Sequence, residues 1–215
     1  MTRQEPMLES VKGIDGLWTI RRGNLRATVA RLSDGGVCLY SPVESTSTAL
    51  GHKEPVRFLF APNHYHNKAI PEHVEAFGNA DLVCSDAARP RLEKVTGSQF
   101  GSLSALLEVL PQTVTLVEPE GLKTGEVWLV VRRGNEVVWV VTDAFCGVRQ
   151  KGEDTAQIGF LKTFPKYGLK DKERFSNWVR NRLGEDVPSV VVPCHGEIVR
   201  GPEIRSGIMA LLDGL

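Results

Sequence analysis

The stretch that decides the fold is Ala61-Pro62-Asn63-His64-Tyr65-His66-Asn67-Lys68, which follows the apolar run Val56 to Phe60. The apolar run has the length of a buried strand, and Pro62 ends it. On an extended segment, two histidines separated by one residue point to the same side of the chain. Placed just past a buried strand, they can converge on one ion, because neutral imidazole is a common ligand for zinc and iron. The stretch therefore predicts a metal site with His64 and His66 as ligands.

Two later apolar runs also end on a side chain that can bind a metal. Val140-Val141-Thr142 leads into Asp143, and Val191-Val192-Pro193-Cys194 leads into His195. Functional groups gather at strand ends because a rigid sheet holds the following loops in place. One such strand end means little, but three in order along one chain indicate a functional site.

The remaining pattern is that of a mixed α/β protein. Strands dominate the first third, helices enter in the middle, a second strand group follows, and a helix, a strand and a helix close the chain. This order suggests two sheets facing each other with helices on the outer faces, a four-layer αββα sandwich, although composition alone is equally compatible with a doubly wound sheet. The expected strands are Leu17 to Ile20, Leu25 to Leu32, Val37 to Tyr40, Val56 to Phe60, Leu82 to Cys84, Thr113 to Val117, Glu126 to Val131, Val137 to Thr142 and Val187 to Val192. The expected helices are Pro71 to Phe77, one that Ser85 or Asp86 could cap, Ser102 to Leu110, Asp171 to Leu183 and Glu203 to Leu212.

Length and charge narrow the possible partners. The chain has 215 residues, which favours a single domain spanning 1-215, and its 26 basic residues balance 26 acidic ones. Without a net charge, no global field attracts nucleic acid or a membrane surface, so neither is an expected partner. The four cysteines form no CxxC pair, and the polar start of the chain is not a secretory signal, so we expect a reduced, cytoplasmic protein.

The site motifs resemble those of the metallo-β-lactamase superfamily over nearly the whole chain. Asp34 to Val43 is similar to the early hairpin of that family and the strand-end turn after it. The His64-x-His66 pair is similar to the start of its His-x-His-x-Asp-His ligand motif. By the same resemblance, Asp143 matches the aspartate that bridges two metals, and His195-Gly196 matches the late histidine of the second metal site. The resemblance implies an αββα sandwich with His64, His66, Asp143 and His195 in one pocket.

Three ligand positions of that family are replaced in this chain. The motif aspartate falls on Lys68, the motif histidine after it falls on Ala69, and the third histidine of the first site falls on Leu122. A dinuclear centre with the full ligand set is therefore excluded. The four remaining side chains can hold one zinc or iron ion. The alternative is a site with no metal, in which these groups bond to each other and to water.

Lys68 has two interpretations. An ammonium about 5 Å from a divalent ion would cost roughly 6–7 kcal/mol at an effective dielectric constant near 20. In the functional interpretation, buried Lys68 replaces the lost cation and pairs with Asp143 or with an anionic substrate, as part of the catalytic site. In the other interpretation it points into solvent, as lysines usually do.

Other candidate residues are weaker. Cys146 is three residues after Asp143, so it either faces the same pocket or is a loop thiol. Cys194 beside His195 is either a nucleophile or a buried strand-end thiol, and His73 is expected on the surface of a helix.

Two functions are compatible with this pattern. The first is a hydrolase-like protein with at most one metal ion, in which Asp143 orients the attacking water on a small-molecule substrate of unknown identity. The second is a non-catalytic binding or scaffold protein that has kept the fold and lost the metal chemistry.

Overall fold

The computed structural model of the chain describes residues 6–50 and 54–215. The chain divides into two compact units, Met1–Pro111 and Gln112–Leu215, and each contains one large sheet with helices. The mixed α/β class expected from the sequence is confirmed, while the single domain spanning 1-215 stays a prediction. In the described ranges, none of the helices combines the length and apolar character that crossing a bilayer requires.

The first unit contains a six-stranded sheet whose spatial order follows the sequence from β1 to β6. The strands from β1 to β4 pair antiparallel, and β4, β5 and β6 pair parallel. The described elements are β1 (Leu8–Ser10), β2 (Leu17–Arg22), β3 (Leu25–Arg31), β4 (Val37–Tyr40), a 3-10 turn (Ser47–Leu50), β5 (Val56–Phe60), α1 (Ile70–Ala76), β6 (Asp81–Val83), α2 (Arg89–Thr96) and α3 (Ser104–Val109).

The parallel strands of this unit are covered by α1 and α2. Ile70 of α1 and Leu92 of α2 are fully buried in one apolar cluster with Ala61 and Cys84, the residues that directly follow β5 and β6. The ends of both strands are thereby anchored in the core. The chain that leaves β5 toward His64 starts from a rigid point.

The second unit contains a five-stranded sheet in the order β13-β12-β9-β8-β7 and a separate two-stranded sheet of β10 and β11. β12 runs parallel to β9, and the other pairs are antiparallel. The described elements are β7 (Val114–Val117), β8 (Trp128–Arg133), β9 (Glu136–Val141), β10 (Cys146–Val148), β11 (Gln157–Gly159), α4 (Phe164–Tyr167), α5 (Lys172–Glu185), β12 (Val190–Pro193), β13 (Val199–Arg200) and α6 (Ile204–Asp213).

The core of the second unit is aromatic. Trp128 of β8 and Trp139 of β9 are fully buried with ring centroids 5.5 Å apart, and α5 and α6 contribute buried side chains such as Phe175 and Ile208. Large aromatic rings bury much apolar area each, so this cluster is the main stabilising contact of the unit. It fixes the adjacent parallel strands β9 and β12, whose ends lead to Asp143 and His195.

Most expected elements are confirmed with small shifts at their ends, but six short elements of the structure were not predicted from the sequence. Tight hairpins join β2 to β3 at Arg22-Gly23-Asn24 and β8 to β9 at Arg133-Gly134-Asn135. The unpredicted elements are β1, β10, β11, β13, the 3-10 turn and the one-turn helix α4. Each strand among them has at most three residues, too few to show an alternating pattern.

Candidate metal site

His64 and His66 lie in a tight turn, not on an extended segment as expected. Residues 64–69 are turn residues, and the buried side chain of Asn63 shapes the turn. Its Oδ1 accepts hydrogen bonds from the amides of Tyr65, at 2.8 Å, and of His66, at 3.2 Å. Such an Asx turn is a common use of asparagine. The two imidazoles are therefore positioned by the asparagine and not by strand periodicity.

His66 is oriented by a serine at the end of β4. The hydroxyl of Ser41 lies 2.5 Å from Nδ1 of His66, and Ser41 is buried with a left-handed φ of 56°. This backbone conformation is uncommon for a residue with a side chain. A metal on this ring would bind through Nε2, with Nδ1–H donating to the serine, the arrangement that usually orients a histidine ligand.

His64 is partly buried, and its ring contacts the ring of Tyr65 edge-on with centroids 4.3 Å apart. The side-chain amide of Asn67 donates to the carbonyl oxygen of His64 at 2.9 Å. Lys68, two residues after His66, is exposed. The functional interpretation required a buried lysine, so that expectation is wrong. The structure agrees with the other interpretation, in which Lys68 points into solvent.

Asp143 and His195 of the second unit are brought together. Oδ1 of Asp143 lies 3.0 Å from Nε2 of His195, and both side chains are partly buried, with exposed fractions of 13% and 23%. The pairing follows from the sheet, because β9 and β12 are adjacent and parallel and both residues lie just past their carboxyl ends. The structure thus places two of the four predicted ligands side by side. The convergence of this pair with His64 and His66 of the other unit stays a prediction.

A close glycine contact supports the loop that carries His195. Gly147 of β10 donates its N–H to the carbonyl of His195 at 3.2 Å, and its carbonyl accepts from the amide of Glu197 at 3.1 Å. A Cβ on Gly147 would lie 1.9 Å from the Glu197 oxygen, and one on Gly196 would lie 2.1 Å from the Gly147 oxygen. Only glycine permits this backbone approach.

Glu126, a buried carboxylate that contacts the Asp143 loop, was not among the site residues predicted from the sequence. Its oxygens accept hydrogen bonds from the indole of Trp128 and from the backbone amides of Thr142, Asp143 and Ala144. Burial raises the pKa of the Glu126 carboxyl, and the nearby Asp143 carboxylate raises it further, against the lowering effect of the hydrogen bonds.

The hairpin register was the signal that could have identified Glu126. Leu129 pairs with Val140, so continuing the register by three residues places Glu126 opposite Asp143.

Three of the weaker candidates are buried in the core. Cys146 and Cys194 are both buried, and burial raises the pKa of the Cys146 thiol, which is unfavourable for a nucleophile or a metal ligand. His73 was expected on the surface, but it is fully buried on the inner face of α1. Its Nδ1–H donates to the carbonyl of Ala69 at 2.8 Å, so it is a structural histidine of the first unit.

Each unit offers side chains of the kind that bind a first-row transition metal. The first unit supplies two imidazoles in one turn, and the second supplies a carboxylate next to an imidazole. Nitrogen and oxygen ligands of this kind bind zinc and iron. The hydrogen bond that Nδ1–H of His66 donates to Ser41 is the type of outer contact that accompanies ligands in such sites.

Similar solved structures identify the fold. The metallo-beta-lactamase from Pontibacter korlensis has 14% identity and a TM-score of 0.62, over 97% of this chain and 100% of that chain. The DIM-1 metallo-beta-lactamase has 12% identity and a TM-score of 0.67, over 98% of each chain. The rubredoxin oxygen:oxidoreductase of Desulfovibrio gigas has 16% identity and a TM-score of 0.65, over 95% of this chain and 60% of that chain.

No protein-family profile and no curated protein sequence matches the chain. The structural matches have low identity but high coverage, and they establish the fold. The chain therefore has the metallo-β-lactamase fold, as the motif resemblance implied. A fold of this kind does not determine the reaction, so function has to be argued from the side chains.

Proposed function

We propose that this protein binds a single zinc or iron ion and acts as a hydrolase on a small-molecule substrate. The proposed ligands are His64, His66, Asp143 and His195. The observation that carries the proposal is the contact of 3.0 Å between Asp143 and His195 at two adjacent strand ends, in a chain with the metallo-β-lactamase fold. Both side chains are partly buried, so they remain accessible to a substrate.

Each residue has a defined task in this proposal. The chemistry supplied by a bound ion is polarisation of a carbonyl or ester oxygen and a lowered pKa of water. His66 offers Nε2, while Ser41 holds its Nδ1–H and keeps the ring oriented. Asp143 has two carboxylate oxygens, so one can serve as ligand while the other accepts a hydrogen bond from the attacking water and orients it. His195 would complete the set through Nε2, with the ion replacing the hydrogen bond that this nitrogen shares with Asp143.

A second ion is not expected, because three positions offer no suitable donor. Ala69 is buried and Leu122 is half-buried, and neither side chain can bind a metal. Lys68 carries a positive charge that would oppose a nearby cation, although its exposure weakens the repulsion.

The hydrogen bond between Asp143 and His195 also favours a second function, that of a non-catalytic binding or scaffold protein. These two groups already satisfy one another without an ion. A chain that had lost the metal chemistry would retain such a contact because it stabilises the fold. In both proposals the protein works in the cytoplasm with reduced thiols, and its partners include neither nucleic acid nor a membrane.

Metal analysis separates the two functions. Protein purified without a metal-binding tag would be analysed for zinc and iron, then stripped and titrated with zinc in a calorimeter. The hydrolase proposal expects close to one ion per chain and a large loss of affinity in His195→Gln. The matched control is His73→Gln, which removes an imidazole outside the proposed ligand set. Protein that contains no metal and takes up no zinc would overturn the hydrolase proposal in favour of the scaffold.

A further inference from the structure

We propose that Glu126 is a positioning residue that holds the Asp143 carboxylate against His195, and that it thereby supports metal binding. The metal-binding part of this inference rests on the proposed function. The positioning part concerns the second unit alone and is testable in metal-free protein.

The contacts of Glu126 are concentrated on the loop after β9. Its Oε1 accepts from the amides of Thr142 and Ala144, both at 3.3 Å, and from the indole Nε1 of Trp128 at 2.6 Å. Its Oε2 accepts from the amide of Asp143 at 3.3 Å. Three consecutive backbone amides thus donate to one carboxylate, as in the amide concavities that bind anions. Glu126 is 1% exposed, so water does not substitute for these bonds.

The position of these amides explains why a carboxylate is needed. β9 ends at Val141, and β8 begins only at Trp128, so residues 142–144 lie beyond the paired part of the hairpin. Backbone amides buried without a partner are costly, and Thr142 and Ala144 are both fully buried. Glu126 lies opposite Asp143 in the continued register and accepts from all three. The backbone of Asp143 is thereby fixed while its side chain remains directed at His195.

The loop that carries His195 is held by hydrogen bonds that do not involve Glu126. The backbone of Gly147 binds the carbonyl of His195 and the amide of Glu197, and the amide of Cys194 donates to Val141 at 3.0 Å. Loss of Glu126 therefore should release Asp143 while His195 stays in place.

The experiment compares Glu126→Gln with the matched control Asp186→Asn. Glutamine keeps the shape but has one acceptor oxygen, so at least one loop amide would face an NH2 group. Asp186 is also a buried carboxylate of the second unit, but it accepts hydrogen bonds from the guanidinium groups of Arg132 and Arg182. The readouts in metal-free, full-length protein are amide hydrogen exchange at residues 142–144 and the ring nitrogen signals of His195 by NMR.

We expect amide exchange at residues 142–144 to accelerate about tenfold or more in Glu126→Gln, as loss of a charge-assisted hydrogen bond implies. The His195 ring signals should shift because Nε2 loses its fixed partner. Asp186→Asn should leave both readouts unchanged, even though it lowers stability. Unchanged exchange or unchanged His195 signals in Glu126→Gln would overturn the inference.

Zinc titration then tests the metal-binding part. Loss of a residue that supports a ligand typically weakens metal binding by about 10–100-fold, and we expect this range for Glu126→Gln. Wild-type affinity in this variant would overturn the inference even if the NMR signals change. If wild-type protein takes up no zinc, the proposed function fails, while the NMR measurements still decide whether Glu126 positions Asp143.

Discussion

Gly147 and Gly196 lie so close together that neither can carry a side chain. A Cβ on Gly147 would come within 1.9 Å of the Glu197 carbonyl oxygen, and backbone cannot yield as a flexible side chain can. We therefore expect Gly147→Ala to lower the free energy of unfolding by about 3 kcal/mol or more, measured by urea denaturation. The loop that carries His195 would be displaced, so zinc affinity should fall as well.

Gly184 provides the matched control for this substitution. It lies in α5, is exposed and has no heavy atom within 4 Å of the position of an added Cβ. Alanine is the better helix former, so Gly184→Ala should raise the free energy of unfolding by about 0.5–1 kcal/mol. Equal effects of the two alanines would show that the close approach at Gly147 does not constrain the fold.

His73 should make stability dependent on pH. Burial lowers the pKa of His73 below its ordinary value of 6.5, despite the raising effects of the Ala69 carbonyl and of Glu72. Below pH 6.5 the unfolded chain takes up a proton that the folded chain still excludes. The contribution of His73 to the free energy of unfolding is therefore constant above pH 6.5, and it falls as the pH drops from 6.5 toward the folded pKa. His73→Gln should remove this part of the slope in urea titrations of metal-free protein.

Glu72 does not obscure that measurement. Burial alone would raise its pKa, but hydrogen bonds from the Ser45 amide and the Ser47 hydroxyl, with the charge of His73, lower it below the ordinary 4.5. Its contribution is thus fully present above pH 4.5 and is lost only as the pH falls through the lower folded value. If the free energy of unfolding changes with pH above pH 5 as much in His73→Gln as in the wild type, other histidines cause that dependence.

Lys68→Met should leave stability nearly unchanged. Lys68 is exposed, and substitutions at such sites usually change the free energy of unfolding by less than about 0.5 kcal/mol. A loss of several kcal/mol in thermal or urea unfolding would instead indicate that Lys68 takes part in a buried charge pair.

Replacing Ala69, the residue after Lys68, with histidine should destabilise the first unit. Ala69 is 4% exposed, and its carbonyl accepts the hydrogen bond from His73. A larger side chain there overpacks the first unit, so Ala69→His should lower the free energy of unfolding by about 1–3 kcal/mol. Improved zinc binding at undiminished stability would show that the turn has room for the missing ligand.

The strands that lead to the site were predictable because each is a run of several apolar residues. β5, β9 and β12 were recognised as such runs, and the neighbouring positions of β9 and β12 then bring Asp143 to His195. The turn that holds His64 was not predictable, since it depends on how one buried side chain, Asn63, bonds to the two amides that follow. Hydrophobic periodicity contains no information about such a contact.

Two buried polar residues were missed for different reasons. His73 was placed on the surface because of its residue type, but it lies three residues after buried Ile70, on the same face of α1. That spacing was available in the sequence. The contact of Glu126 with the Asp143 loop can be predicted only when the β8–β9 register is known, because the backbone amides that it binds lie sixteen to eighteen residues away.

The bond between Asp143 and His195 has a consequence for the order of events after synthesis. Many small metal proteins fold only when their ion arrives, since their ligands repel one another or stay unsatisfied without it. Here the carboxylate and the imidazole already satisfy each other, and Glu126 and Gly147 hold the loops on either side. Under the proposed function, the chain can therefore reach its native state before an ion binds, and a chelator that strips the proposed ion should leave the protein folded.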